Sequence, residues 1–316
     1  RPPPRRRALH LVRCVLRGLS DTGGVFPSPD GNTGGKDSGM IPNSAAADRG
    51  PGTAAEQEAG SAETVALRID GQAVPARRGA TLLEAARAAG IPIPTLCHHD
   101  ALEPHGACRL CVVDISREEW GPESRMVAAC LYPVEDGLVV LTASERVRAA
   151  RREILDLLLA RCPESPLIRR LAIEHGIRET SYRRNPEPTD CILCGLCTRL
   201  CDHLGPAAIS LVGRGIGREV APPFHEPPPD CVGCLACAMI CPTGHIPFSK
   251  SDSGYTIWGR TFPRLRCPAC GRAHITEAEA DFWAARTGLA RADLETCDTC
   301  KRAATAETIA RLAAVG

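Results

Sequence analysis

The sequence is poor in aromatic residues, has almost no charge bias and contains no long apolar run. Aromatic side chains make up 3% of the 316 residues, which argues against one large core built on big rings. The formal net charge of +1 gives no whole-chain electrostatic argument for nucleic acid or an anionic membrane. No stretch reaches the roughly 18 apolar residues of a membrane-spanning helix, so none is predicted. The Gly-rich phosphate-binding motifs of nucleotide enzymes are also absent, because Gly213–Gly217 follows no predicted strand and indicates a turn.

Cysteine, by contrast, is abundant, with 18 residues. Most lie in tight groups with two or three residues between neighbours, or complete such a group. This spacing suits thiolates that converge on a metal better than disulfide bridges between distant segments. Because structural disulfides belong to oxidising compartments, we predict a reducing, cytoplasmic location. Four groups of four cysteines leave only Cys14 and Cys162 unassigned.

Composition and periodicity divide the chain into five predicted segments of an α+β protein. Residues 1–62, rich in Gly, Ser and Pro, are predicted to be a disordered leader, with an Arg-rich targeting peptide as the alternative. Two strands, a helix and two further strands over residues 63–143 predict a small β-grasp domain. A helical connector is predicted over 144–188, a cysteine-rich ferredoxin domain over 189–250 and a four-cysteine, zinc-ribbon-like module over 260–316.

Local patterns predict the individual elements. Alternating apolar residues indicate strands, and helical spacing with a capping Thr or Ser indicates helices. The predicted strands are Thr64–Ile69, Gln72–Ala76, Leu110–Ile115 and Gly137–Thr142. The predicted helices are Thr81–Ala89, one that begins at Ser144, Leu167–His175, Glu277–Thr287 and Ala303–Ala313.

Two cysteine runs share the spacing C-x2-C-x2-C-x3-C. Two-cluster ferredoxins have this spacing, and there the fourth cysteine of each run ligates the other cluster. One run could bind structural zinc, but two matched copies favour two [4Fe–4S] clusters. One cluster is predicted on Cys191, Cys194, Cys197 and Cys241. The other is predicted on Cys231, Cys234, Cys237 and Cys201.

Residues 190–247 resemble the bacterial two-cluster ferredoxins, with two departures. Cys201 is followed by Asp202 where the ferredoxin motif has proline, and a long Pro- and Gly-rich connection over residues 202–230 separates the two runs. Neither departure removes a predicted ligand. The resemblance therefore implies a ferredoxin domain that retains both clusters.

A third group consists of Cys97, Cys108, Cys111 and Cys130, with the spacing C-x10-C-x2-C-x18-C after the β-grasp helix. Plant-type ferredoxins bind a [2Fe–2S] cluster through C-x4-C-x2-C and a distant cysteine, so the first gap here is longer. We predict a [2Fe–2S] cluster on these four thiolates. His98, His99 and His105 are alternative ligands of the Rieske type, but four cysteines already suffice, so surface or hydrogen-bonding roles are predicted for them.

The stretch around this group carries a family resemblance. Pro94-Thr-Leu-Cys97-His-His-Asp100 and Gly106-Ala-Cys108-Arg-Leu-Cys111-Val-Val113 resemble the amino-terminal domain of the large iron–sulfur subunit of complex I. They are equally similar to the small diaphorase subunit of NAD-reducing hydrogenases, to iron-only hydrogenases and to some formate dehydrogenases. The resemblance extends from about residue 64 to 247 in the same domain order. It implies a shared β-grasp fold and a role in electron transfer.

One expected site of that family is missing. The relatives usually carry a [4Fe–4S] site of one histidine and three cysteines after the helix that begins here at Ser144. The matching stretch, Leu157–Pro166, contains Cys162 alone. We therefore predict that this cluster is absent and that Cys162 is a buried small side chain.

The fourth group is a pair of C-x2-C motifs, formed by Cys267, Cys270, Cys297 and Cys300. Four thiolates in this arrangement suit tetrahedral zinc, and mononuclear iron of the rubredoxin type is the alternative. No interleaved basic and aromatic pattern supports nucleic-acid binding. A docking or stapling module is the plainer interpretation.

Taken together, these groups predict one [2Fe–2S] cluster, two [4Fe–4S] clusters and one zinc or mononuclear iron ion. The predicted function is an electron-transfer subunit that is not catalytic alone. It would link a flavin/NAD(P)H-oxidising partner to a catalytic subunit of hydrogenase, formate dehydrogenase or complex I type, with any membrane association peripheral. The alternative is a redox-responsive regulator whose terminal metal ribbon binds a partner or nucleic acid.

Overall fold

A computed structural model describes residues 63–187 and 189–313. The predicted leader over residues 1–62, including Cys14, lies outside the described residues. None of the described helices is both long and apolar enough to cross a membrane.

A five-stranded mixed sheet forms the first unit, in the order β2-β1-β5-β3-β4. β1 runs parallel to β5, while the other neighbours are antiparallel. Helix α1 covers the sheet and begins with a capping box, in which Thr81 and Glu84 exchange side-chain and backbone hydrogen bonds. The elements are β1 Thr64–Ile69, β2 Gln72–Arg77, α1 Leu82–Ala88, β3 Val112–Ser116, β4 Ser124–Ala128 and β5 Val139–Leu141.

The predicted β-grasp elements are confirmed, although the last strand is shorter than predicted, at Val139–Leu141 within Gly137–Thr142. The third predicted strand begins at Val112, two residues later than expected, because Leu110 and Cys111 still belong to the cysteine loop. Strand β4 was not predicted, since Ser124 and Arg125 at its start are exposed and give no apolar alternation. The buried side chains of β1 point into a core that, among the described residues, is formed by this unit alone.

Two helices connect this unit to the second cysteine-rich region. α2, Glu145–Arg161, is capped by Ser144 as predicted, and α3, Pro166–Glu174, starts and ends one residue before the predicted helix. Cys162 follows α2 and is fully buried, and burial raises the pKa of its thiol to about 12. A protonated thiol in an apolar core fits the predicted packing role of Cys162.

The two matched cysteine runs each lead into a helix. The first run continues into α4 and the second into the single-turn helix α5, and the connection between them forms a two-stranded hairpin with short 3-10 turns. The elements are α4 Leu196–Leu204, β6 Ser210–Val212, β7 Glu219–Ala221 and α5 Ala236–Met239.

The last region is a four-stranded antiparallel sheet, in the order β11-β10-β9-β8, followed by three helices. It shares one continuous apolar core with α2–α5 and the cysteine runs. The predicted helix Glu277–Thr287 is confirmed, but the predicted start of the last helix at Ala303 is wrong, because the helix begins at Asp298. The elements are β8 Phe248–Lys250, β9 Gly254–Ile257, β10 Arg260–Arg266, β11 Ala273–Thr276, α6 Glu277–Thr287, α7 Arg291–Glu295 and α8 Asp298–Ala313.

Candidate metal centres

The first cysteine group lies where the loop after α1 meets the end of β4. The Sγ atoms of Cys111 and Cys130 are 3.5 Å apart, and the backbone N–H of Cys108 donates to Sγ of Cys97 at 3.4 Å. Cys97, Cys111 and Cys130 are each 1% exposed. The structure thus brings the four predicted ligands together as two contacting pairs, in which Cys108 is half-buried and the other three are buried.

Hydrogen bonds between the thiols shift their pKa values in opposite directions. The hydrogen bond from Cys108 lowers the pKa of Cys97 to about 5, and the one from Cys130 lowers the pKa of Cys111 to about 6. The same pairing raises the pKa of Cys108 and that of Cys130. Because the thiolate is the form that binds metal, the lowered pKa values of Cys97 and Cys111 favour the form that a metal site requires.

Two arginines from other parts of the chain hold this loop in place. Nε and Nη2 of Arg151, on α2, donate to the carbonyl oxygens of Leu110 and Val112 at 3.1 and 2.9 Å, on either side of the third cysteine. Nη2 of Arg199, on α4, donates to the carbonyl of Cys97 at 3.0 Å. Arg151 is buried, and burial lowers its pKa. Each guanidinium therefore satisfies loop carbonyls and places a positive charge beside the thiolates.

The two matched cysteine runs surround two separate cavities. Each cavity is lined by the first three cysteines of one run and the fourth cysteine of the other. The first cavity has Cys191, Cys194, Cys197 and Cys241 in its lining. The second has Cys231, Cys234, Cys237 and Cys201.

Burial dominates the chemistry of these thiols. It raises the pKa of Cys194 to about 11 and that of Cys237 to about 12. Backbone N–H groups donate to the fourth cysteines of both runs. The N–H of Ala208 donates to Sγ of Cys201, and the N–H of His245 donates to Sγ of Cys241, both at 3.3 Å. A dry thiol pocket with inward N–H groups suits a group that carries positive iron and negative sulfide.

An arginine also fixes the start of each run. Nε of Arg161, at the end of α2, donates to the carbonyl of Cys191 at 2.8 Å. Nη1 of Arg260, at the start of β10, donates to the carbonyl of Cys231 at 3.1 Å. The two runs are thus held in the same way by residues that lie outside both.

The fourth group forms the tightest set of thiols. The Sγ atoms of Cys267, Cys270, Cys297 and Cys300 all lie within 4.8 Å of one another. The N–H of Cys297 donates to Sγ of Cys267 at 3.3 Å and lowers the pKa of that thiol to about 6, whereas hydrogen bonding from Cys270 raises the pKa of Cys300 to about 12. Four converging thiols at this separation fit a tetrahedral zinc or iron ion.

The four groups follow one another through the molecule. Arg199 joins the loop of the first group to α4, which belongs to the first run. The two cavities are joined by the exchanged fourth cysteines. A further cavity of about 270 Å³, between the second run and the last group, is lined by both Cys234 and Cys297.

Several residues around these groups could not be found from the sequence. The four arginines at positions 151, 161, 199 and 260 act through contacts with distant segments, and no local motif marks them. Two of the three histidines named as alternative ligands form local hydrogen bonds. His98 Nε2 lies 3.2 Å from Asp100, and His99 Nδ1 accepts from the N–H of Ala101 at 3.1 Å.

Parts of the chain match known proteins. Residues 62–145 match the family described as the 2Fe-2S iron-sulfur cluster binding domain. The first unit is thus a β-grasp-like [2Fe–2S] domain within an α+β iron–sulfur protein. More particularly, the chain resembles the amino-terminal iron–sulfur region of complex I, hydrogenase and NADPH-dependent iron oxidoreductase subunits, which confirms the resemblance predicted from the sequence.

Three relatives define the extent of this likeness. The NADPH-Fe(3+) oxidoreductase subunit alpha of Geobacter sulfurreducens is 31% identical over 65% of this chain and 26% of its own length. An NADP-reducing hydrogenase subunit of Solidesulfovibrio fructosivorans is 33% identical over 57% of this chain and 35% of its own length. An NADH-quinone oxidoreductase subunit of Rhizobium meliloti is 27% identical over 66% of this chain and 27% of its own length. The chain therefore spans about a quarter to a third of the length of these relatives.

Proposed function

We propose that this chain is an electron-relay subunit that passes electrons along a row of iron–sulfur clusters. The observation that carries the proposal is the order of the cysteine groups. The [2Fe–2S] group contacts the first run through Arg199, and the two runs share their fourth cysteines across the two cavities. Adjacent buried sites of this kind provide short steps for single electrons.

The finer assignments are part of the same proposal. Within the domain boundaries predicted from the sequence, the [2Fe–2S] cluster is held by Cys97, Cys108, Cys111 and Cys130. Two [4Fe–4S] clusters occupy the cavities of the paired runs, each held by three thiolates of one run and the fourth of the other. A zinc ion is held by Cys267, Cys270, Cys297 and Cys300, where it staples the last helices to the sheet.

Clusters bound here would supply one-electron redox chemistry. The protein's contribution is to deprotonate thiols, exclude water and offer N–H donors and fixed cations. Arg151, Arg161, Arg199 and Arg260 each place a guanidinium at the backbone of a cysteine loop. These positive charges stabilise the extra negative charge of a reduced site and favour reduction.

The partners are proposed from the relatives. Those relatives are, by name, subunits of NADPH-Fe(3+) oxidoreductase, NADP-reducing hydrogenase and NADH-quinone oxidoreductase. We propose that this chain likewise receives electrons from, or delivers them to, a flavin/NAD(P)H-oxidising subunit, and exchanges them with a catalytic oxidoreductase subunit.

Metal and sulfide analysis with EPR tests the cluster content of the purified chain. We expect about ten iron atoms per chain, from one [2Fe–2S] and two [4Fe–4S] clusters, together with one zinc. About fourteen iron atoms would indicate that the histidine-ligated cluster is present after all. About eleven iron atoms without zinc would indicate that the last site binds iron. Enzyme-like turnover of NADH, hydrogen or formate by the chain alone would contradict the relay role.

A further inference from the structure

Trp258 occupies a turn position that disfavours large side chains. With Gly259 it forms the two-residue turn between β9 and β10, across which Ile257 pairs with Arg260. Both turn residues have positive φ, 52° for Trp258 and 73° for Gly259, a combination that favours Asn-Gly or Asp-Gly. A bulky residue in this conformation is strained, and such strain concentrates at functional sites. The backbone alone gives no reason for a tryptophan here.

The side chain of Trp258 supplies a reason. Its indole lines the second cavity, together with Cys201, Cys231, Cys234 and Cys237. The indole Nε1 is buried and has no hydrogen-bond partner among residues 63–187 and 189–313. Because an indole N–H can only donate, its acceptor is expected inside the cavity.

The first cavity contains no tryptophan among the described residues that line it. At the fourth cysteines the two cavities are otherwise matched by backbone donors. His245 donates its N–H to Cys241 as Ala208 does to Cys201, both at 3.3 Å. Thr243 adds a hydroxyl 3.5 Å from Sγ of Cys241. An indole N–H is therefore the distinctive donor of the second cavity.

We propose that Trp258 donates a hydrogen bond from its indole to the cluster held by Cys201, Cys231, Cys234 and Cys237, and raises the reduction potential of that cluster. The inference rests on the proposed function, because it requires a [4Fe–4S] cluster in this cavity. Trp258 tunes the cluster through this hydrogen bond. It ligates no iron, and its strained turn holds the N–H toward the cluster sulfurs.

The direction of the effect follows from charge. A reduced cluster carries one more negative charge than the oxidised cluster, so an N–H dipole stabilises the reduced form more strongly. Hydrogen bonds to cluster sulfurs are among the factors that set reduction potentials. Removal of the donor should therefore lower the potential of this cluster alone, while the cluster on Cys191, Cys194, Cys197 and Cys241 stays as an internal reference.

EPR-monitored redox titration of Trp258→Phe in the full chain tests this inference. We expect the one-electron equilibrium of one [4Fe–4S] cluster to shift about tenfold toward oxidation, which is 59 mV for a one-electron couple. The other [4Fe–4S] cluster and the [2Fe–2S] cluster should keep their potentials. Trp120→Phe is the matched control, because Trp120 packs against the core of the [2Fe–2S] domain and lines neither [4Fe–4S] cavity. It should move none of the three potentials.

A second measurement uses the unsubstituted protein and does not depend on the variant assembling. With ¹⁵N-labelled tryptophan, electron–nuclear double resonance should detect indole nitrogen coupled to one reduced [4Fe–4S] cluster. No nitrogen coupling, unchanged potentials in Trp258→Phe, or equal shifts of both [4Fe–4S] clusters would overturn the inference alone. An unsubstituted protein that fails to assemble two [4Fe–4S] clusters would instead overturn the proposed function, and the inference with it.

Discussion

The two cysteine runs have the same spacing and the same left-handed backbone positions, but different residues occupy those positions. In each run, the residue before the second cysteine and the residue after it have positive φ. In the first run these are Leu193 at 54° and Gly195 at 71°, and in the second they are Gly233 at 68° and Leu235 at 60°. Glycine thus occupies opposite positions in the two copies. The left-handed turns belong to the geometry of the site and are kept where glycine is not available.

The surroundings of the two cavities differ more than the runs themselves. The second run adjoins Trp258 on one side and, on the other, a cavity that contains the buried carboxyl group of Glu279. The lining of the first cavity includes no carboxylate among the described residues. Identical ligand sets therefore lie in unequal electrostatic environments. The comparison leads us to expect two clusters of one type with different properties.

Removal of the fourth cysteine of either run is the sharpest test of the exchanged ligand pairing, and it has the largest expected effect. In Cys201→Ala, we expect loss of the cluster in the second cavity, although Cys201 belongs to the first run. In Cys241→Ala, the cluster of the first cavity should be lost instead. Each variant should lose up to about four iron atoms per chain, because one thiolate of a four-thiolate site is gone.

The identity of the lost cluster distinguishes exchange from simple pairing within each run. Adding Trp258→Phe to each cysteine variant identifies the lost cluster. The shift in reduction potential caused by Trp258→Phe should persist in Cys241→Ala and disappear in Cys201→Ala. Cys162→Ala is the control, since this buried thiol lies outside all four groups, and it should leave the iron content unchanged. Loss of the same cluster in both fourth-cysteine variants would contradict the exchange.

The sequence predicted the features that depend on local chemistry. A few neighbouring residues are enough to determine the cysteine spacing, the Thr81 cap of α1 and the alternation of β1. The sheet of β8 to β11 was missed because β10 contains Pro263 and its exposed and buried residues do not alternate regularly. The arginine contacts depend on folding. Arg199 and Cys97 are 102 positions apart, so no local pattern could join them.

Glu279 provides a pH-dependent test of the difference between the cavities. Burial raises its pKa from 4.5 to about 7, so the folded chain binds this proton more tightly than the unfolded chain. Stability from this group is therefore highest below pH 4.5 and declines as the pH rises to about 7. The difference is at most about 3 kcal/mol, at 1.36 kcal/mol per pKa unit.

Glu279→Gln should remove this dependence. We expect the variant to be more stable than the unsubstituted protein at pH 8 and nearly equal to it at pH 4.5, as measured by the midpoint of thermal unfolding. Glu277→Gln, an exposed position on the same helix, is the matched control and should show no such crossover. A variant that is equally or less stable at pH 8 would show that the carboxyl group is solvated or paired in the folded protein.

The glycines of the two runs give the smallest effect and test the backbone comparison directly. Gly195→Ala introduces only the strain of a left-handed alanine, because the nearest atoms to the new Cβ, on His105 and Thr198, lie 3.8 Å away. Gly233→Ala adds a collision, because its Cβ would lie within 2.8 Å of three ring and Cβ atoms of Phe262. Since overpacking costs about 1–3 kcal/mol, Gly233→Ala should be less stable than Gly195→Ala by about 2 kcal/mol. Gly233→Ala combined with Phe262→Leu should recover part of the difference in thermal unfolding, because the smaller side chain makes room for the methyl group. Equal destabilisation by the two alanines would mean that Phe262 moves freely and that the two runs tolerate the same changes.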